Sequence, residues 1–240
     1  MRILEKLAAR NAETPDRAAA LIACLGDSVT HGCFEVFKNR FGKVDTVYRP
    51  EDGYPARLRR RLNLLYPVSA VNVLNAGVSG DSSAGGLRRL ERDVLSHLPD
   101  LVTVNFGLND AMGGRNALSN YRSNMRALFS RILDSGAECM LVTPNRMCSY
   151  VSHALSDSDL RAIAAAAAEI QTGGTLDAFV EAAREEAQRL NVPIADAHRV
   201  WNRLERSGAD TTALLANAIN HPISEMHELF AEKIVGQMLG

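Results

Sequence analysis

A chain of 240 residues, 46% of them hydrophobic, is long enough to bury one sizeable α/β core. Its formal net charge of -1 argues against nonspecific nucleic-acid binding, and no stretch approaches the ~20 consecutive apolar residues that a membrane helix requires. Cys24, Cys33, Cys139 and Cys148 lack Cys-x-x-Cys spacing and the histidines lack paired zinc spacing, so the composition implies reduced thiols, no metal and no cofactor.

From the N-terminus, residues 1–17 read as a short helical extension to a single domain spanning 1–240. They are too charged for a secretory leader, which sets the expectation of a cytoplasmic protein. The run Leu21-Ile-Ala-Cys-Leu-Gly-Asp-Ser28 begins the sheet, with a strand at 19–25. Further strands are expected at 70–75, 101–106, 138–143 and 192–195. Between them fall amphipathic helices: from Pro55 to about Leu65, then 84–97, 116–134, 157–171 and 176–190, with two more helical pieces after Trp201, the last over 224–239. The Arg57, Arg59, Arg60, Arg61 cluster alternates with leucines as a solvated helix face does. Short apolar runs alternating with helices predict a three-layer α/β/α sandwich around a central, mostly parallel five-stranded sheet of flavodoxin-like type.

Such a sheet binds ligands beyond the carboxyl ends of its strands. Polar clusters sit there: Gly26-Asp27-Ser28 after the first strand, Asn75-Ala-Gly-Val-Ser-Gly-Asp-Ser82 after the second, and Gly107-Leu-Asn-Asp110 after the third. A serine delivered by a core strand into a tight turn keeps its backbone fixed, its hydroxyl exposed and its own N–H free. Near the other end stands His221-Pro222.

This ordered set resembles the SGNH hydrolases, also called the GDSL esterase family, and the resemblance runs from residue 21 to 222. It implies a serine esterase working through an acyl-enzyme, with Ser28 as nucleophile and His221 as general base. The oxyanion hole is then formed by the N–H groups of Ser28 and Gly77 and the side-chain amide of Asn109. Neutral imidazole accepts the serine proton, so activity is expected to fall through an apparent pKa of roughly 6 to 7.

The chain departs from the family three residues before the histidine, where Ala218 replaces the usual acid. The expected orienter of the imidazole is therefore a main-chain carbonyl near Asn217 to Ala218, with the Asn217 side chain or Asp196 as alternatives. Two insertions are expected to wall the pocket: residues 31–54, carrying Phe34, Phe37, Phe41, Tyr48 and Tyr54, and residues 144–156, carrying Met147 and Tyr150. Glu35, Lys38, Arg40 and Lys43 are candidates to contact a polar acid or sugar, and Cys33 lies near enough to Ser28 to line the pocket. The expected substrate is a small ester with a short acyl group, an O-acetylated carbohydrate among the candidates. Two other readings stay open: a non-catalytic binder of acylated carbohydrate, and an acyltransferase to an acceptor other than water. A nucleotide-binding reading lacks a glycine fingerprint, and the oligomeric state is unreadable.

Overall fold

The computed structural model describes residues 1–12 and 19–240. Its elements are α1 (Arg2–Ala12), β1 (Ala20–Gly26), α2 (Ser28–His31), β2 (Cys33–Lys38), β3 (Val44–Tyr48), α3 (Tyr54–Leu65), β4 (Val71–Gly77), α4 (Ser83–Asp93), β5 (Leu101–Asn105) and α5 (Leu108–Ala111). There follow α6 (Leu118–Asp134), β6 (Glu138–Val142), α7 (Ser158–Thr172), α8 (Thr175–Arg189), β7 (Ile194–Ala195), α9 (Ala197–Arg206) and α10 (Ser224–Leu239).

Five strands form one sheet in the order β4-β1-β5-β6-β7, and every pairing is parallel. Parallel strands covered by helices on both faces must be apolar along nearly their whole length. Accordingly β5 is buried throughout and β1 at all positions but Leu21. α3 packs on α10, while α6 packs against both α4 and α8; right-handed crossovers put these two groups on opposite faces of the sheet. The chain starts in the sheet's middle and winds outward both ways. That leaves a crevice between the carboxyl ends of β1 and β5, where the order reverses.

Several boundaries differ from the sequence reading. The helix expected over 84–97 ends at Asp93, and Leu95–His97 forms a separate 3-10 turn closed by Leu98 at a positive φ. The fifth strand is only Ile194–Ala195, because the Val192 N–H still caps α8 on Ala187 and Pro193 has no N–H to pair. Trp201 lies inside α9, which Asp196 caps through the Arg199 N–H, so a single helix follows it rather than two. Arg57 and Arg61 are not merely solvated: both pair with Glu228, and Arg61 also with Glu232, joining α3 to α10. Of the expected N-terminal extension, residues 13–17 lie outside the described residues, while Ile3 and Leu7 of α1 join the main buried cluster.

The segment 31–54 contains an unforeseen antiparallel hairpin, β2–β3. Among the described residues no helix is long and apolar enough to cross a membrane, and no cluster of His, Cys, Asp or Glu is placed to hold a metal. All four cysteines are free and buried.

Candidate active site

The register of the sheet assembles the site. Gly26 of β1 lies opposite Gly77 on one side and Asn105 on the other, so three loops leave the sheet at one level. The loop after β1 becomes α2. Asp27 caps it by accepting the Val29 N–H at 3.0 Å, which places Ser28 in the first helical position, where a backbone N–H has no intrahelical acceptor. Burial raises the Asp27 carboxyl to about 7, with the nearby Asp110 and Asp81 charges adding to the effect.

His221 arrives from the far end of the chain with its Nε2 at 3.0 Å from Ser28 Oγ. Its Nδ1 lies 2.8 Å from the carbonyl oxygen of Phe34. A carbonyl can only accept, so the proton sits on Nδ1 and the Nε2 lone pair faces the serine hydroxyl. The acceptor is available because β2 carries a register shift between Cys33 and Val36, which takes Phe34 out of the ladder with β3. The Phe34 ring is clamped under the Arg49 guanidinium at 4.2 Å and beside His227 at 5.0 Å, and Arg49 is itself fixed by two bonds to Glu35.

The expected orienters do other work. Asn217 Oδ1 accepts the backbone N–H groups of Ile219, Asn220 and His221, shaping the loop that carries His221. Asp196 is occupied by Thr143, Arg184 and the Arg199 N–H. The carbonyls of Asn217 and Ala218 are not the partner either, because His221 Nδ1 meets that of Phe34 instead. From outside, Asn145 donates to the Asn220 carbonyl at 2.8 Å, and the Cys148 N–H donates to that of Ile219, so the chain after β6 braces the same loop.

Ala218 adopts φ 52. A side chain there costs ~1–2 kcal/mol, against ~0.5–1 kcal/mol for the extra unfolded freedom of glycine. Ala218→Gly is therefore expected to raise the melting temperature by a few degrees, since about 1 kcal/mol corresponds to ~2–4 °C at this size. Thermal unfolding checks it, and a lower melting temperature would show that the methyl group is packed.

Gly77 does not hold the place expected of it. Its N–H donates to Asn75 Oδ1 at 3.0 Å, and a Cβ there would lie 2.2 Å from the His31 nitrogen. Gly77 is small so that α2 can rest against β4. Among the described residues, every backbone N–H from Gly77 to Ser83 finds an acceptor except that of Gly80, which borders the cavity beside Ser28. Gly80 has φ 75, a conformation that side chains disfavour. In the sequence both glycines sit in the polar run at the carboxyl end of β4, Gly77 as its last residue, and only the packing of α2 tells them apart.

Asn109, in α5, faces the same cavity and donates one amide hydrogen to the Asp81 carbonyl at 2.8 Å. Asp110 accepts from the backbone and hydroxyl of Ser83, tying this loop to the one after β4. Beneath them lies Arg89, only 8% exposed. Its guanidinium donates to the Gly26 carbonyl at 2.8 Å, to that of Ala76 at 2.6 Å and to the Asp81 carboxylate at 2.6 Å. Arg89 thus holds the loops of Ser28 and Gly80 directly, and through Asp81 the amide of Asn109.

The cavity measures about 150 Å³ and is lined by Ser28, His221, Gly80 and Asn109 with an aliphatic wall. Of the 31–54 segment only Val36 and Val44 reach it. Phe34 and Tyr54 are buried in the interior, and Phe37, Phe41 and Tyr48 point to solvent. Nothing from 144–156 lines it: Met147 is buried and Tyr150 bonds Asp210. Its remaining lining comes from Leu160 and Ile163 of α7, an element without a pocket signal in the sequence, and from Ser79, Asn217, Ile219 and Asn220. Cys33 is buried away from it, with its thiol pushed up to about 11 by burial.

Comparison with known proteins fits this arrangement. An esterase of Pseudomonas aeruginosa, TesA, is 32% identical over 129 residues, 54% of this chain and 56% of that protein. An arylesterase of Vibrio mimicus is 38% identical over 72 residues, 30% of this chain and 36% of that one. The chain thus matches only about a third to just over half the length of these curated relatives. The crystal structure of an acetylxylan esterase from Geobacillus stearothermophilus superimposes with a TM-score of 0.66 at 21% identity, covering 92% of this chain and 94% of that one, which shows a shared fold. Residues 24–229 match the model of the GDSL-like lipase/acylhydrolase family, and the chain belongs to that family.

Proposed function

We propose that this protein is a serine esterase that cleaves a small carboxylic ester through an acyl-enzyme on Ser28. The observation that carries the reading is the relay from the Phe34 carbonyl through His221 to the Ser28 hydroxyl, with gaps of 2.8 and 3.0 Å. His221 Nε2 takes the hydroxyl proton as Oγ attacks the ester carbonyl. The tetrahedral oxyanion is met by the N–H groups of Ser28 and Gly80 and the free amide hydrogen of Asn109, each such donor being worth ~3 kcal/mol of barrier. The imidazolium then returns the proton to the leaving alkoxide, and water repeats the sequence to release the acid. Four free buried cysteines favour a compartment that keeps thiols reduced, consistent with the cytoplasm.

Labelling with a fluorophosphonate tests the reading, because the reagent reacts only with an activated serine. Ser28 is expected to carry the adduct, and His221→Ala to lose it. Labelling also reports the base. Burial lowers His221 to about 4, although the Phe34 hydrogen bond acts in the opposite direction. The neutral form is the active one, so a lowered pKa extends activity toward acid, and the labelling rate should hold to pH 5 and fall as pH drops through about 4. This replaces the midpoint of roughly 6 to 7 expected for an unperturbed imidazole. A folded sample that shows no adduct at Ser28 at any pH would sink the esterase reading in favour of a binding protein.

A further inference from the structure

We propose that the hairpin β2–β3 and the first turns of α7 form a two-walled clamp that selects a linear aliphatic acyl chain of about six carbons. The inference rests on the esterase reading and deepens it. The hairpin supplies one wall. Val36 faces Thr46 and Lys38 faces Val44 across the ladder, so these residues share one face, and Val36 and Val44 line the cavity. The other wall is Leu160 and Ile163, one helical turn apart on α7, and Ile219 closes the floor beside the base. Among the described residues no Lys, Arg, Asp or Glu lines the cavity, so its polar part, which includes Ser79, Asn217 and Asn220, offers no countercharge to a charged acid.

The walls are tied at their rim. Lys38 leaves the same hairpin face and its ammonium pairs with Asp159 and, at 3.5 Å, with Asp157. Asp157 is also the cap of α7, accepting the N–H groups of Asp159 and Leu160. One lysine therefore fixes the separation between Val36 and Leu160. Val44 and Ile163 remain 46% and 41% exposed at the mouth, apolar surface that a bound chain would cover.

Chemistry assigns the chain to the acyl side. The acyl group stays bonded to Ser28 after the alcohol has left, so the cavity containing Ser28 must house it while water enters. The cavity of about 150 Å³, aliphatic on the side of the two walls and polar beside Ser28, has the volume of a molecule the size of benzene, which sets the length near six carbons. An acetyl group leaves both walls unfilled.

The test is a series of nitrophenyl esters from acetate to dodecanoate, with a matched series of acetates of lengthening alcohols. Each methylene buried should raise kcat/KM about fourfold, giving about 250-fold from acetate to hexanoate and no further rise to dodecanoate. In Val44→Ser/Ile163→Ser, whose positions are exposed enough to leave folding intact, the hexanoate-to-acetate ratio should fall about tenfold. Lys38→Met should raise KM for hexanoate several-fold and remove its dependence on salt, because an exposed tether is screened. An optimum at acetate, or a preference that the variants shift in the alcohol series and not in the acyl series, overturns the clamp while leaving Ser28 labelled. Absence of both hydrolysis and label overturns the clamp together with the esterase reading.

Discussion

Ser28→Ala and His221→Ala are each expected to lower kcat by on the order of 10⁴- to 10⁶-fold, and the double variant by hardly more than either alone. The two side chains act as one unit: the hydroxyl at 3.0 Å is a weak nucleophile until Nε2 takes its proton, and the imidazole without the serine has nothing to activate. The residual rate comes from the N–H groups of Ser28 and Gly80 and the Asn109 amide, which still receive the oxyanion of a water attack. KM should change little. Steady-state kinetics on a good ester check the pair, and additive losses in the double variant would mean that the two groups serve separate steps.

Arg89→Met is expected to lower kcat on the order of 100-fold at nearly constant KM, to weaken a boronic acid analogue of the tetrahedral state in parallel, and to cost ~3–5 kcal/mol of stability. The stability loss follows from leaving the Asp81 carboxylate, whose side chain is 12% exposed, without its cation. The kinetic loss has a different origin. Arg89 holds the Gly26 and Ala76 carbonyls and, through Asp81, the carbonyl that positions Asn109, so all three proposed oxyanion donors share this support. Arg89→Met/Asp81→Asn separates the effects: without a buried anion the melting temperature should recover, while kcat stays low because the two carbonyls remain unheld. Recovery of both would reduce Arg89 to a structural ion pair.

Much of this was legible in the residues. Strands such as Leu101-Val-Thr-Val and the glycine and serine turns that follow them are local signals, so the sheet and the converging loops could be read directly. Ser28, Asn109 and His221 carry side chains whose chemistry declares itself, and the structure brings them to one cavity. What escaped lies in the backbone or in distant packing. Gly77 and Gly80 are equivalent as letters, and only the approach of α2 to 2.2 Å of a Cβ at Gly77 separates strut from donor. The Phe34 carbonyl has no signature in a sequence because every residue possesses one. The hairpin itself had a signal that could have revealed it: Val44-Asp-Thr-Val-Tyr alternates after the turn glycine Gly42. The α7 wall escaped because the intervening loop, not the helix, looked like the natural lining.

The bulge that frees the Phe34 carbonyl has an evolutionary consequence. No single substitution can delete a main-chain acceptor, so residue 218 is released from the need for an acid and residue 34 tolerates exchange as long as the chain path holds. An insertion or deletion of one residue in Cys33–Lys38 is another matter. Successive carbonyls of a strand point in opposite directions, and such a slip would present the imidazole with an amide hydrogen in place of an oxygen. Natural variation in this lineage should therefore conserve the length of that strand more strictly than its letters.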